Sequence, residues 1–377
     1  MQENISVDRN AIQSQTIDLL RFPLALLVLF VHIVPITQNP NTADFSIFSW
    51  HGVYNSIGLL ILNGLAAVPI FFLISGYLFF ANFREWSWNG YQKKIKSRIR
   101  TLVIPYIIWN VLAFLLTVLN IWVKGEDSWG FFHNNLYNFL WDCNDWEHVQ
   151  FSWLPWETYL TGPFDLPLWF LRDLIVIVFL SPVIYWFVKK TKIGGILLLF
   201  LAYMSNFWVT WHGFSILAYF YFTLGAFFAL NGNNMVFFAR KYKYVFFVLY
   251  ILSFSAYVYY YKADTDMSGI FRQLFIVFAV FSALSVASLL VEKKIVLPNK
   301  LLVGSCFFIY AEHRCGPIGL LGLIDVLFHK LIPGESYMED SFLLVFVPIF
   351  TALMLVGMYW ILKRYMPTIA GLLSGNR

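Results

Sequence analysis

Charged side chains are scarce in this sequence, and that scarcity indicates which solvent surrounds the protein. Of the 377 residues only 12% are charged, whereas 59% are hydrophobic and 20% are aromatic, and the mean hydropathy is +0.67. A soluble domain typically has about twice this charged fraction. The chain has too few polar groups to cover a surface in water, so its composition predicts a protein embedded in a lipid bilayer.

The short motifs of several large protein classes are also missing. The sequence has no Walker phosphate loop, no GxGxxG fingerprint, no HExxH pair and no spaced Cys/His set, so we expect no metal site. Its three cysteines are too few for a disulfide framework. Basic loops between the hydrophobic segments account for the net charge of +5, so nucleic acid is not an expected partner.

Ten apolar segments are long enough to cross a membrane, and they predict an all-α polytopic protein of about ten transmembrane helices. Residues 1–16 are polar, lack the features of a signal peptide, and are expected to form a cytoplasmic N-terminus. Residues 17–365 are expected to form one transmembrane domain with an extracytoplasmic loop at 124–167, followed by a cytoplasmic tail at 366–377. The predicted spans are 17–36, 57–81, 101–123, 168–188, 193–209, 214–230, 243–261, 270–291, 300–327 and 342–365.

Lys and Arg are distributed unevenly between alternate loops. If the N-terminus is cytoplasmic, the inner segments hold 19 of these residues and the outer segments hold 4. This asymmetry predicts that both termini are cytoplasmic. The outer loop 124–167 instead holds seven acidic residues and five of the fifteen tryptophans, a composition that suits either carbohydrate binding or an aromatic belt at the membrane interface.

Three of the 26 basic residues, Arg21, Arg172 and Arg314, fall within or at the ends of predicted spans. An arginine at membrane depth costs a few kcal/mol and normally faces a protein interior or a wet cavity. Each of the three is therefore a functional candidate. Arg172 lies next to Asp173, so it is either part of a local ion pair or a cation that holds an oxyanion or an acceptor group.

The first span carries the sharpest local pattern, an arginine and a histidine on one helix face. Arg21 and His32 are eleven residues apart, which is nearly three turns and about 16 Å along the helix axis. A long donor with an anionic head could bind at Arg21 and extend its reactive end toward His32, whose imidazole can take a proton from a hydroxyl. Alternatively, Arg21 simply pairs with Asp18, and His32 is a hydrogen-bonded interior residue.

These segments resemble the acyltransferase-3 family of integral membrane acyltransferases. DLLRFPLALLVLFVH (18–32) is similar to its Arg-x10-His signature, and VPIFFLISGYLFF (68–80) to its FFxxSGY element. KKIKSRIRTLVIPY (93–106) resembles its basic stretch and Ile-Pro-Tyr entry, LPLWFLRDLIVIVFLSPVI (166–184) its Leu-Trp-Phe-Leu helix, and SCFFIYAEH (305–313) its Ser-x-x-x-Ile-Tyr-x-x-His helix. The matches cover most of the chain in the expected order.

The resemblance implies an O-acetyltransferase of the bacterial inner membrane. Such an enzyme moves an acyl group, usually acetyl from cytoplasmic acetyl-CoA, to a glycan or lipid-linked sugar. His32 then corresponds to the catalytic base and Arg21 to a residue that holds the donor. The family often shows Arg-x-x-Arg in the basic stretch, whereas this chain has Arg98-Ile-Arg100, so either arginine is a candidate for donor binding and either is equally explained by the positive-inside rule.

The same resemblance makes His313 a candidate for contact with the acceptor or an intermediate. It stands with Glu312 and Arg314 in three adjacent ionisable residues, which alternatively form a structural ion cluster. Ser75, in the FFxxSGY element, is a further candidate for substrate contact, and otherwise a small helix-packing residue.

Two other functions fit a polytopic protein with interior charges. A secondary transporter or flippase of a glycan precursor is expected to have broken helices at matched positions in two halves, and no such pairing is evident. A glycan polymerase would use a lipid-linked donor and a large outer loop, which the tryptophan-rich loop allows. Transfer from acetyl-CoA distinguishes the acyltransferase from both.

Overall fold

In this computed structural model the described residues are 2–33, 46, 48–81, 83, 85–150, 157–205, 207–209, 211–262, 267–332 and 336–375. Their fold is helical, as predicted, apart from one antiparallel hairpin in the loop 124–167. Two of the five tryptophans predicted to mark this loop, Trp153 and Trp156, lie outside the described residues.

The helices of the described residues are numbered in chain order. Their bounds are α1 (Gln2–Ile33), α2 (Trp50–Ile61), α3 (Ala67–Phe80), α4 (Trp88–Arg98), α5 (Ile104–Val123), α6 (Ser128–Asn135), α7 (Trp169–Phe179), α8 (Ser181–Ser205), α9 (Ile216–Leu230), α10 (Met235–Lys241), α11 (Lys243–Lys262), α12 (Met267–Glu292), α13 (Lys300–Glu312), α14 (Gly319–Leu331), α15 (Tyr337–Tyr365) and α16 (Pro367–Ser374). Strands β1 (Asn144–Gln150) and β2 (Glu157–Gly162) form the hairpin. Leu62–Ala66 and Leu166–Leu168 are 3₁₀ turns, and Ile99–Val103 is a π-helical turn.

Six helical segments of the described chain are long and apolar enough to cross a membrane. They are Arg9–Ile33, Trp50–Phe80, Trp88–Val123, Lys243–Tyr261, Met267–Glu292 and Tyr337–Tyr365. A seventh is obtained if Leu166–Phe179 and Ser181–Ser205, which meet at a bend of 67°, count as one span. The protein is therefore a multi-pass membrane protein, but the predicted count of ten spans is not confirmed.

The ten predicted spans and the six or seven long apolar helices differ where an apolar stretch of sequence forms two helices or one short helix. The predicted fourth and fifth spans, 168–188 and 193–209, belong to the bent pair. The predicted sixth span is the 15-residue helix α9. The predicted ninth span, 300–327, is interrupted between α13 and α14, where Gly316 and Gly319 adopt positive φ angles of 83° and 62° that side-chain-bearing residues rarely adopt.

Helix α1 lies among other helices, and its functional stripe faces protein. It contacts α12, α13 and α15. Ala25 and Val28, which stand between Arg21 and His32 on the same face, are 0% and 5% exposed. The stripe is therefore turned toward the protein interior rather than toward lipid.

A close crossing of α3 and α9 explains part of the FFxxSGY element. A Cβ at Gly76 would overlap the carbonyl oxygen of Phe222, and a Cβ at Gly225 would overlap that of Leu73. Only glycine lets the two backbones approach so closely. Ser75 stands half-buried next to Gly76 at this crossing, and both roles predicted for it, substrate contact and helix packing, stay predictions.

Candidate active site

One end of the α1 stripe carries clustered cations. Arg21 Nη1 lies 3.4 Å from Asp18 Oδ1, one turn earlier, and its side chain is 29% exposed. Arg98, at the end of α4, is close enough to Arg21 for the two guanidinium groups to interact electrostatically. The side chain of Arg98 is half-buried, whereas that of Arg100 is exposed. Of the two predicted donor-binding arginines, the structure thus brings Arg98 to Arg21.

Arg98 and Arg100 lie two positions apart, which is about 200° around a helix, so they point to different sides. The π-helical turn Ile99–Val103 begins directly after Arg98 and leads into α5. A π-helical turn contains one more residue per hydrogen-bonded loop than an α-helix, so it rotates the following side chains relative to those before it. Such turns are frequent at functional sites.

The other end of the stripe carries a pair of histidines. The ring of His32, in the last turn of α1, lies with its centroid 5.1 Å from that of His313, and the ring planes are tilted by 43°. The two residues are 281 positions apart in the chain, and contact between α1 and α13 brings them together. The histidines predicted separately from the two motifs therefore occupy one site.

The hydrogen bonds of His313 define its tautomer. Its side chain is fully buried, and its Nδ1 lies 2.8 Å from the carbonyl oxygen of Tyr310 and 3.3 Å from that of Ile309. A carbonyl oxygen only accepts, so Nδ1 carries the proton and Nε2 of the neutral ring has a free lone pair. No described group bonds to this Nε2. It is a buried proton acceptor next to His32.

Charged groups of both signs surround the histidine pair. Arg314 is exposed at the helix end and interacts electrostatically with both His32 and His313. Oε2 of Glu312 is buried and has no hydrogen-bond partner in the described part of the chain. Of the three adjacent ionisable residues 312–314, His313 and Arg314 thus interact with His32 at the end of α13, whereas Glu312 interacts electrostatically with Asp165.

Asp165 is a buried acid that the sequence did not single out. It is 0% exposed, and neither carboxyl oxygen has a partner among the described residues. Its backbone N–H donates to Oδ1 of the buried Asn110 at 3.0 Å, which fixes its position. Burial, and then the neighbouring Glu312 carboxyl group, raise the pKa of Asp165 well above its usual value. In the sequence it was one of the seven acidic residues of the loop 124–167, and no pattern set it apart from the others.

Arg172 is held by contacts with the loop 124–167. Its Nε lies 3.0 Å from Asp173 Oδ1, and its Nη1 donates to the carbonyl oxygen of Trp141 at 2.6 Å. The guanidinium also lies over the Trp141 ring, 5.6 Å from its centroid. Both members of the ion pair are buried, so these contacts connect α7 to the loop. The role predicted for Arg172 with an oxyanion or acceptor stays a prediction.

A family profile described as an acyltransferase domain matches residues 14–363 of this chain. The chain belongs to the acyltransferase-3 family. The predicted resemblance is therefore confirmed, and the acyltransferase-3 match includes both the arginine pair on α1 and α4 and the histidine pair on α1 and α13. In the described residues, no group of three or more His, Cys, Asp or Glu side chains is placed to hold a metal ion.

A curated protein also resembles part of the chain. The succinoglycan biosynthesis protein ExoH of Rhizobium meliloti (strain 1021) is 28% identical over 178 residues, which is 47% of this chain and 44% of that protein. The chain thus spans less than half the length of the curated relative that it matches. No solved structure shows a significant match to it.

Proposed function

We propose that the protein transfers an acyl group, most simply acetyl, from cytoplasmic acyl-CoA to a hydroxyl group of an extracytoplasmic glycan or lipid-linked sugar. One observation carries this proposal: α1 joins a pair of arginines at one end to a pair of histidines at the other, on a face turned toward the protein. The family membership supports the reaction type. Positive residues on one side of the membrane support a multi-pass protein of the inner membrane with both termini in the cytoplasm.

The arginine pair fits the donor. Arg21 and Arg98 lie close together, and only Arg21 is compensated by an ion pair, with Asp18. Two neighbouring cations repel each other unless an anion binds between them, and guanidinium groups bind phosphate oxygens well. The phosphates of acetyl-CoA supply such anions. The thioester at the end of the flexible CoA arm then extends about 16 Å along α1 toward His32.

The histidine pair fits the chemical step. His32 takes the proton of the acceptor hydroxyl group while the hydroxyl oxygen attacks the thioester carbonyl carbon. The C–S bond then breaks, and the CoA thiolate receives the proton from the imidazolium of His32. His313, whose free Nε2 can only accept, helps to position the hydroxyl group or the ring of His32.

The tetrahedral intermediate needs a positive group near its oxygen. Arg314 interacts electrostatically with both histidines. We therefore assign the oxyanion to Arg314 in preference to Arg172, whose Nε and Nη1 already bind Asp173 and Trp141. The name of the curated relative ExoH assigns that protein to the biosynthesis of succinoglycan, and this supports a sugar acceptor.

The test uses purified full-length protein with acetyl-CoA, measuring release of free CoA. His32→Ala is expected to reduce CoA release by about 10²–10⁴-fold, because the general base is lost. His133→Ala removes an exposed histidine on α6 and is expected to leave the rate within twofold. Full activity of His32→Ala, with His133→Ala also active, would remove His32 from the mechanism.

A further inference from the structure

A second polar site lies at the end of α1, one residue beyond His32 in the chain. A partly open cavity of about 250 Å³ lies where the end of α1 meets α2, α14 and α15. Ile33 lines it, and Ile33 directly follows His32. The polar lining consists of Tyr54, Asp325, His329 and Asp340. None of these polar residues belongs to the motifs that indicated the family.

One imidazole links the two acids of the cavity. Nδ1 of His329 lies 3.3 Å from Asp325 Oδ1, one turn away on α14, and its Nε2 lies 3.7 Å from Asp340 Oδ1 on α15. These contacts hold the three side chains in place. Each side chain is still 35–47% exposed, so a ligand can reach it. They offer carboxylate oxygens that accept hydrogen bonds and ring nitrogens that can donate one.

Aromatic rings form one rim of the same region. The ring centroids of Tyr54 and Tyr337 are 5.9 Å apart, and those of His51 and Tyr337 are 4.4 Å apart. Tyr54 also interacts electrostatically with both Asp325 and Asp340. Its hydroxyl group is therefore directed toward the polar side of the site, while the rings present flat apolar surfaces.

We propose that this cavity binds one neutral sugar ring of the acceptor and presents its hydroxyl group to His32. The inference rests on the proposed acyltransferase function. A sugar has hydroxyl groups that donate to carboxylates, and C–H faces that pack on aromatic rings. The cavity is smaller than the roughly 300–1,000 Å³ of pockets for drug-sized ligands, so it suits a single ring. Two carboxylates repel an anionic sugar, so uronic acids and sugar phosphates are excluded.

Direct binding tests the site without requiring turnover. Saturation-transfer NMR is recorded on the purified full-length protein in detergent, with methyl glucopyranoside or methyl galactopyranoside, and with methyl glucuronide as the anionic comparison. We expect saturation of at least one neutral glycoside and at least fivefold less of the glucuronide. Asp325→Asn and Asp340→Asn should each reduce the signal of the neutral glycoside at least fivefold.

A matched control addresses nonspecific effects of the substitution. Asp142 forms another half-exposed ion pair with a histidine, His212, at 3.0 Å. Asp142→Asn removes the same charge from a similar pair outside the cavity and should leave the NMR signal unchanged. Far-UV circular dichroism and gel filtration check that all three variants are folded.

Kinetics then separate this proposal from the proposed function. With acetyl-CoA and the neutral glycoside that binds, Asp325→Asn should raise the acceptor KM at least about tenfold, because a hydrogen bond to a charged group is lost. With the control Asp142→Asn, the acceptor KM and CoA release without acceptor should both stay within twofold. No CoA release by the unmodified protein contradicts the acyltransferase, whereas absent glycoside binding, or binding that survives both substitutions, contradicts the sugar site.

Discussion

The two ends of α1 differ in charge, and the difference indicates what each end binds. At one end Arg21 and Arg98 stand close together, with Asp18 as the acid paired to Arg21. At the other end two histidines lie beside Glu312 and Arg314, and the neighbouring cavity is lined by Asp325 and Asp340. A cationic site binds a phosphorylated donor, whereas imidazoles and acids bind and deprotonate a neutral hydroxyl compound. The comparison supports the proposal that the donor and the acceptor bind at opposite ends of one helix.

The largest expected effect is at the histidine end. His313→Gln removes the buried acceptor nitrogen next to His32 while keeping a polar side chain of similar size. We expect kcat to fall about 100-fold or more with little change in the donor KM, because the arginine pair is untouched. Steady-state CoA release at varied acetyl-CoA measures both constants. An increase in donor KM with normal kcat would place donor binding, rather than proton transfer, at His313.

A matched pair of substitutions tests whether the arginine end of α1 binds the donor. Arg98→Gln is expected to raise the donor KM about tenfold, because one charge-assisted contact to phosphate is lost. Arg100→Gln changes an exposed arginine two positions away and should alter it less than twofold. Equal effects of the two substitutions would show that overall basic charge, rather than the Arg21–Arg98 pair, attracts the donor.

The smallest expected effect concerns Asp165. Since burial raises its folded-state pKa above the usual 3.8, the folded protein holds a proton that the unfolded chain releases. The unfolded state thus binds fewer protons above pH 3.8, so this residue lowers stability as pH rises. Asp165→Asn removes that dependence, and we expect an equal or slightly higher melting temperature at pH 8. The opposite result would be a melting temperature of Asp165→Asn that is below wild type at pH 8 but equal to it at pH 5. That result would show that the fold needs the ionised carboxylate of Asp165.

Sequence periodicity was sufficient to predict the α1 stripe. Eleven residues between Arg21 and His32 determine a shared helix face, and the buried Ala25 and Val28 show that this face points inward. Composition likewise predicted a helical membrane protein. These features depend on local geometry and on the solvent, both of which are encoded in neighbouring residues.

Other features depend on contacts between distant segments and escaped prediction. The choice of Arg98 over Arg100 depends on which of the two lies near Arg21 in the folded chain, and the local sequence does not show this. The pairing of His32 with His313 requires the packing of α1 on α13, and Asp165 looked like any other acid of an outer loop. The ten-span count is not confirmed, because hydropathy alone does not reveal breaks such as the one at Gly316 and Gly319.

The packed middle of α1 has a consequence for the cell that contains the protein. Ala25 and Val28 leave almost no solvent-accessible surface between the two ends of the stripe. In the described residues ions and bulk water therefore gain no continuous wet path along this face, and the donor arm of the proposed reaction has to displace packed side chains to pass along it. On that proposal, the acyl group moves from one compartment to the other while the electrical insulation of the bilayer is preserved.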